Sequence, residues 1–118
     1  MKNLKFINNS QSYNPDDAFI VHFSGINSKD ELLKQYNEKL LFPYFGFNWD
    51  ALFDMLRDFH WIKEEKVVLV HDDLPKLTES DLKIYLEVLA YSVKDWKEGE
   101  EHSLEVVFPK SVKDLMKS

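Results

Sequence analysis

Three short apolar runs stand out against a polar background: AFIVHF at 18–23, KVVLVH at 66–71 and SLEVVF at 103–108. Each is too short for a core helix and rich in β-branched or aromatic residues, so each is expected to be a strand. Between them the apolar period turns helical. Ser28 and Glu31 form an S-x-x-E capping box ahead of Leu33, Tyr36 and Leu40, which predicts a helix starting at Ser28 and ending before Pro43. Asn48 is a good N-cap for a second helix running to about Phe59. Thr78 caps a long third helix with Leu82, Tyr85, Leu86, Leu89, Val93 and Trp96 on one face, and Gly99 is its stop signal. Strands alternating with helices require crossover connections and therefore a parallel sheet. The expected fold is α/β, a small three-stranded parallel sheet packed with helices, in one domain over residues 1–118. Residues 1–17, with the turn formers NNSQSYNPDD, predict an irregular N-terminal arm, and 109–118 a tail or short terminal helix.

Composition narrows the setting. The chain has no Cys, so disulfides and thiolate metal sites are excluded, which suits a reducing compartment. The opening MKNLKFINNSQS lacks the apolar core of a signal peptide, and the run around VVLV is far too short to span a bilayer. A cytoplasmic location is expected. The net charge of −6 weighs against nucleic acid and anionic membranes as partners, since both repel an acidic surface, but it permits a basic protein. Nine Phe, five Tyr and three Trp exceed what a small core needs, so some rings are expected at the surface.

The usual signatures of cofactor and metal chemistry do not appear. Gly25, Gly46 and Gly99 are the only glycines and form no G-x-G pattern; His22, His60, His71 and His102 show no metal-ligand spacing. No cofactor or metal is expected. HDD at 71–73 closes the second apolar strand, and ligands often bind at the carboxyl ends of parallel strands. A small enzyme could recruit His71, Asp72 and Asp73, with His22, and would need a concave pocket around His71. The competing reading is a polar exit from a strand.

The segment FPYFGFNWDALFD, 42–54, is less ordinary. On a helical wheel Asp50, Asp54 and Asp58 form one stripe, each about 40° from the last. Leu52, Met55, Leu56 and Phe59 cluster on the far side and should face the core. The aspartates then point to water, with Arg57 near their stripe and Phe53 and Trp49 on its flank. Like charges four residues apart cost a few tenths of a kcal/mol in a helix. Asp50 is offset by the positive end of the helix dipole, Asp54 less so. A solvated acidic face would explain the carboxylates alone. It does not explain the loop before them, where Tyr44, Phe45 and Phe47 surround Gly46 and cannot easily all turn inward.

PYFGFNWDALFDML resembles the loop and second helix of the barstar family, inhibitors of the secreted ribonuclease barnase. The shared pattern is Tyr44-Phe45-Gly46, Asn48, Asp50-Ala51-Leu52-Phe53-Asp54 and Leu56, without a gap. The order of elements agrees over roughly 18–108. The resemblance implies an inhibitor rather than an enzyme, one that plugs a nuclease active site with this helix and loop. It implies Asp54 as the main anchor, in place of a substrate phosphate, and Asp50 as a second acidic contact. It implies Tyr44 as an aromatic contact, Gly46 and Asn48 as shapers of the loop, and Phe53 as a ring beside the acids. Phe45, Phe47, Trp49 and Asp58 complete the expected partner-binding set.

Departures bear on the target. Phe47 stands where the family carries an acid, Phe45 lacks a hydroxyl, and Phe53 replaces a Trp. A further acidic contact near the end of the long helix falls at Lys94, or at Asp95 with a one-residue slip. The implied partner is a cognate toxin, a basic ribonuclease other than barnase, and the implied role is immunity protein, monomeric before it binds. A barstar-like module with a non-nuclease partner is the alternative.

Overall fold

The three apolar runs become strands at the expected places because their alternate side chains can be buried on both faces of one sheet. The computed structural model describes residues 3–113. In chain order these form β1 (Leu4–Ile7), a 3-10 turn (Ser10–Ser12), β2 (Ala18–Phe23), α1 (Lys29–Leu40), α2 (Trp49–Leu56), β3 (Lys66–His71), α3 (Glu79–Asp95), β4 (Ser103–Pro109) and a 3-10 turn at Lys110–Val112. The sheet is parallel throughout, in the order β1-β4-β3-β2.

The sheet therefore has four strands, not three. The extra one comes from residues expected to be an irregular arm: Leu4 to Ile7 pair with Val106 to Pro109 along the edge of β4. Four residues interrupted by Lys5 give no local signal, and their pairing partner lies about a hundred positions away in the chain. At the other end β4 runs on to Pro109, then a single 3-10 turn follows; most of the expected terminal helix lies outside the described residues.

Residues from all three helices belong to one core cluster, with Val67 and Leu69 of β3 and Leu104, Val106 and Phe108 of β4. The alternate residues Val68, Val70 and Val107 form a smaller cluster on the opposite face, packed against Ile7, Ala18 and Ile20 of the neighbouring strands and against Tyr13. Over this face lie Tyr13 and the 3-10 turn before it, where Ser10 Oγ donates to the His71 carbonyl at 2.8 Å. Glu105 lies there too, its side chain 3% exposed, between Lys5 of β1 and Lys66 of β3, each 3.1 Å away. The Tyr13 hydroxyl donates to its other oxygen. Burial alone would raise the Glu105 carboxyl, but the bonds from Tyr13, Lys66 and Lys5 outweigh it and hold the group below the usual carboxylate range.

Each helix starts on its expected cap. Ser28 Oγ accepts from the Glu31 N–H at 3.1 Å, Asn48 Oδ1 from Ala51 at 2.8 Å, and Thr78 Oγ1 from Asp81 at 3.2 Å. The Glu31 carboxylate reaches back to the Asn27 N–H at 2.8 Å, one residue ahead of the expected donor.

His71, at the end of β3, is fully buried. Its Nδ1 lies 3.0 Å from the Val107 carbonyl oxygen, which can only accept, so Nδ1 carries the proton. Nε2 then accepts from the Tyr85 hydroxyl at 2.6 Å, and the Tyr85 oxygen accepts from Tyr36 at 2.7 Å. Burial lowers the His71 pKa from 6.5 to about 4, against smaller opposing effects of the Val107 carbonyl and Asp72. The unfolded imidazole takes up its proton near 6.5, the folded one only near 4. The stability contributed by neutral His71 is thus complete above pH 6.5 and lost as pH falls towards 4. The gap corresponds to roughly 3 kcal/mol. Urea unfolding at pH 7 and pH 4 should differ by at least that order. His71→Gln should lower stability at pH 7 and remove most of the change between pH 6.5 and 4. An unaltered pH profile in that variant would assign the change to other groups.

Candidate partner-binding site

The loop after α1 and the whole of α2 are held from behind by two tryptophans. Trp61 Nε1 donates to the carbonyl of Leu40, the last residue of α1, at 2.8 Å. Trp96 Nε1 donates to the carbonyl of Leu56, the last residue of α2, also at 2.8 Å. Each satisfies a carbonyl that a helix end leaves without an intrahelical partner. Between these two fixed points Leu52, Met55 and Leu56 are buried, so α2 rests on the core and turns its other side outward.

On that outward side Asp50 and Asp54 are exposed, one helical turn apart. Asp58 leaves the expected stripe. The helix ends at Leu56, not Phe59, and Arg57 and Asp58 make short i→i+3 backbone bonds to Asp54 and Met55. Phe59 then adopts φ 57° and buries its ring, stacked 5.6 Å from Trp96. The inward position expected of Phe59 is right, but a left-handed turn produces it. Asp58, half-buried, binds the His60 backbone N–H at 3.2 Å and its Nδ1 at 2.9 Å.

The rings divide as their surroundings allow. Phe42 is buried, 6.4 Å from Tyr36; Phe45 lies 4.9 Å from Phe42; Phe47 lies 4.9 Å from Phe45 and is 51% exposed. This ladder runs from core to surface. Tyr44 is 68% exposed. Trp49 is half-buried with its ring 6.0 Å from Tyr85, and Lys29 Nζ sits 5.3 Å from its centroid. Phe53 is half-buried under the Arg57 guanidinium, 4.7 Å from the ring. Arg57 Nε in turn donates to Asp95 Oδ2 at 2.7 Å, a second link between α2 and α3.

Asn48 and Gly46 set the loop's exit. Besides capping α2, Asn48 donates from Nδ2 to the Gly46 carbonyl at 3.2 Å. A Cβ on Gly46 would lie 3.2 Å from that same Nδ2 and 3.5 Å from Ala51 Cβ, so glycine permits the close approach.

A model of the family described as barstar (barnase inhibitor) matches residues 17–109. The chain belongs to the barstar family. Comparisons with curated proteins and with solved structures return no match. The barstar match begins at residue 17, so β1 and the first 3-10 turn lie outside it.

The residues considered for an enzyme have other work in this barstar fold. His71 has no exposed surface and both nitrogens are engaged. Asp72 pairs with His22 Nδ1 at 3.0 Å, and the Asp73 carboxylate accepts from the Gly25 N–H at 3.3 Å. A groove of about 630 Å³ lies where α3 leads into β4, lined by Lys94, Trp96 and His102 among others, and none of the expected partner-binding residues lines it. The two indole N–H bonds to helix ends went unread in the sequence, where Trp96 looked only like a core position and Trp61 had no role. Asn48→Ala should cost about 1 kcal/mol in urea unfolding through loss of the cap. Trp96→Phe should cost about 1–2 kcal/mol, since it removes the bond to Leu56 and part of the indole's packing while keeping an aromatic ring against Phe59. A loss of several kcal/mol in the second variant would mean that packing of the indole, not its bond, secures α2.

Proposed function

We propose that this chain is an immunity protein that binds a cognate ribonuclease toxin and occludes its active site with α2 and the aromatic loop, in the cytoplasm. The observation that carries this is the pair of exposed carboxylates, Asp50 and Asp54, on a helix whose other side is locked into the core. The family's description as barnase inhibitor supports the choice of a ribonuclease.

The physical fit is direct. A ribonuclease site binds phosphate and is therefore electropositive. Two carboxylates on a rigid helix can accept charge-assisted hydrogen bonds from its basic side chains, Asp54 as the main anchor and Asp50 beside it. Phe53 and Trp49, half-buried on the flank, exclude water from those bonds and strengthen them. Tyr44 offers an exposed ring on the loop, and aromatic contacts lose little side-chain entropy on binding. Gly46 and Asn48 shape the backbone that presents it. The charge of −6 favours encounter with a basic protein.

The test is inhibition of RNA cleavage by a panel of purified basic microbial ribonucleases, barnase among them, and by any ribonuclease found in a neighbouring reading frame. At least one should lose activity stoichiometrically. Asp54→Ala should weaken that inhibition about a hundredfold, whereas Glu79→Ala, exposed at the start of α3, should leave it unchanged. Tight binding to a protein without any effect on RNA cleavage would favour a non-nuclease partner. Equal inhibition by both variants would remove Asp54 from the site.

A further inference from the structure

Five large apolar side chains stand exposed among the described residues: Leu41, Tyr44, Phe47, Ile84 and Tyr91. Three of them fall in the seven-residue stretch from Leu41 to Phe47, beside the acidic face of α2. Phe47 is unusual in a second way. Its φ is 52°, a left-handed conformation that costs a bulky residue free energy and is ordinarily left to Gly or Asn. Phe59 has nearly the same φ, but its ring is fully buried, and that burial offsets the strain. Leu41 has it as the residue that terminates α1. Phe47 has neither compensation: half its ring faces water.

The strained backbone does one visible thing. It sets the Phe47 ring as one wall of a cleft of about 410 Å³, whose other wall is α1. Leu33 contributes to its lining, Asp30, Lys34, Asn37 and Glu38 contribute the remainder, and the surface inside is chiefly apolar. Phe45, 4.9 Å from Phe47 and itself packed on Phe42, supports the wall from the core side.

We infer that the cleft between Phe47 and α1 is a specificity subsite, which takes an aliphatic or aromatic side chain standing next to the cationic site of the partner. This deepens the inhibitor reading and rests on it. The acidic face of α2 suits any basic phosphate-binding site and discriminates poorly among them. A cleft with an apolar interior next to it discriminates against basic proteins that lack the matching side chain. Strain at a binding surface is stable only where the surroundings hold it, and here they hold a ring out in water.

Two variants test this. Phe47→Asn removes the wall and relieves the backbone, because Asn tolerates the left-handed region. Asn37→Trp fills the cleft from α1. In urea unfolding Phe47→Asn should have a midpoint equal to or above that of the unchanged chain; a midpoint as low as that of a Phe45→Ala control would overturn the inference by making the ring part of the fold. Against the ribonuclease that the chain inhibits, each variant should dissociate about tenfold faster or more, with the association rate nearly unchanged, because apolar contacts act on residence and the acids on encounter. If Asp54→Ala loses inhibition while both cleft variants dissociate like the unchanged chain, the subsite is wrong and the inhibitor reading stands. If all three behave like the unchanged chain, both fall.

Discussion

A file of hydrogen bonds through the core, from Tyr36 to Tyr85 to His71 to the Val107 carbonyl, joins α1, α3, β3 and β4. Each of the three side chains is fully buried, so a missing partner anywhere along the file leaves a polar group unpaired at about 1–3 kcal/mol. The direction of donation is forced, because the carbonyl at the end can only accept. That places a proton on Nδ1, and burial, which lowers the His71 pKa to about 4, keeps Nε2 unprotonated and free to accept from Tyr85. The same two tyrosines form the floor of the candidate site: Phe42, at the base of the aromatic ladder, stacks near Tyr36, and Trp49 lies over Tyr85. The surface that carries Asp50 and Asp54 is thereby tied to the sheet through rings whose hydroxyls cannot shift independently.

Fixing α2 along its own axis falls to other groups. Asn48 closes its first turn and Trp96 its last, while Trp61 holds the end of α1 from which the loop departs. On the far face of the sheet the N-terminal segment supplies what parallel strands need, a cover on their second side. Its anchor is a buried carboxylate, Glu105, held by Lys5, Lys66 and the Tyr13 hydroxyl. The family match begins only at residue 17, so β1 and Tyr13 are additions to the matched region.

What was legible in the chain was what is local. The runs at 18–23, 66–71 and 103–108 carry their own strand signal, and Ser28, Asn48 and Thr78 announce their helices by side chains that act within three residues. The burial of Leu52, Met55 and Leu56 followed from helical period alone, as did the exposure of Asp50 and Asp54. What was not legible depends on distant partners. Leu4 to Ile7 become a strand only because β4 offers an edge. Asp58 leaves the stripe because α2 ends at Leu56 and Phe59 turns left-handed, with its ring stacked on Trp96 of a distant segment. His71 looked like part of a polar strand end, and its two partners, Tyr85 and Val107, are 14 and 36 residues away. The family itself was legible from one ungapped segment, Tyr44 to Leu56, because a loop and the helix that follows it keep their residues together in sequence.

The central claim is that α2 occupies the place of the substrate phosphate, and mutual exclusion tests it most directly. Binding of this chain to an inhibited ribonuclease would be measured by titration calorimetry in rising concentrations of a mononucleotide that fills the enzyme's phosphate site. The apparent Kd should rise in proportion to nucleotide concentration once that exceeds the nucleotide's own Kd. An apparent Kd that stays constant while the nucleotide saturates the enzyme would show that the chain binds elsewhere.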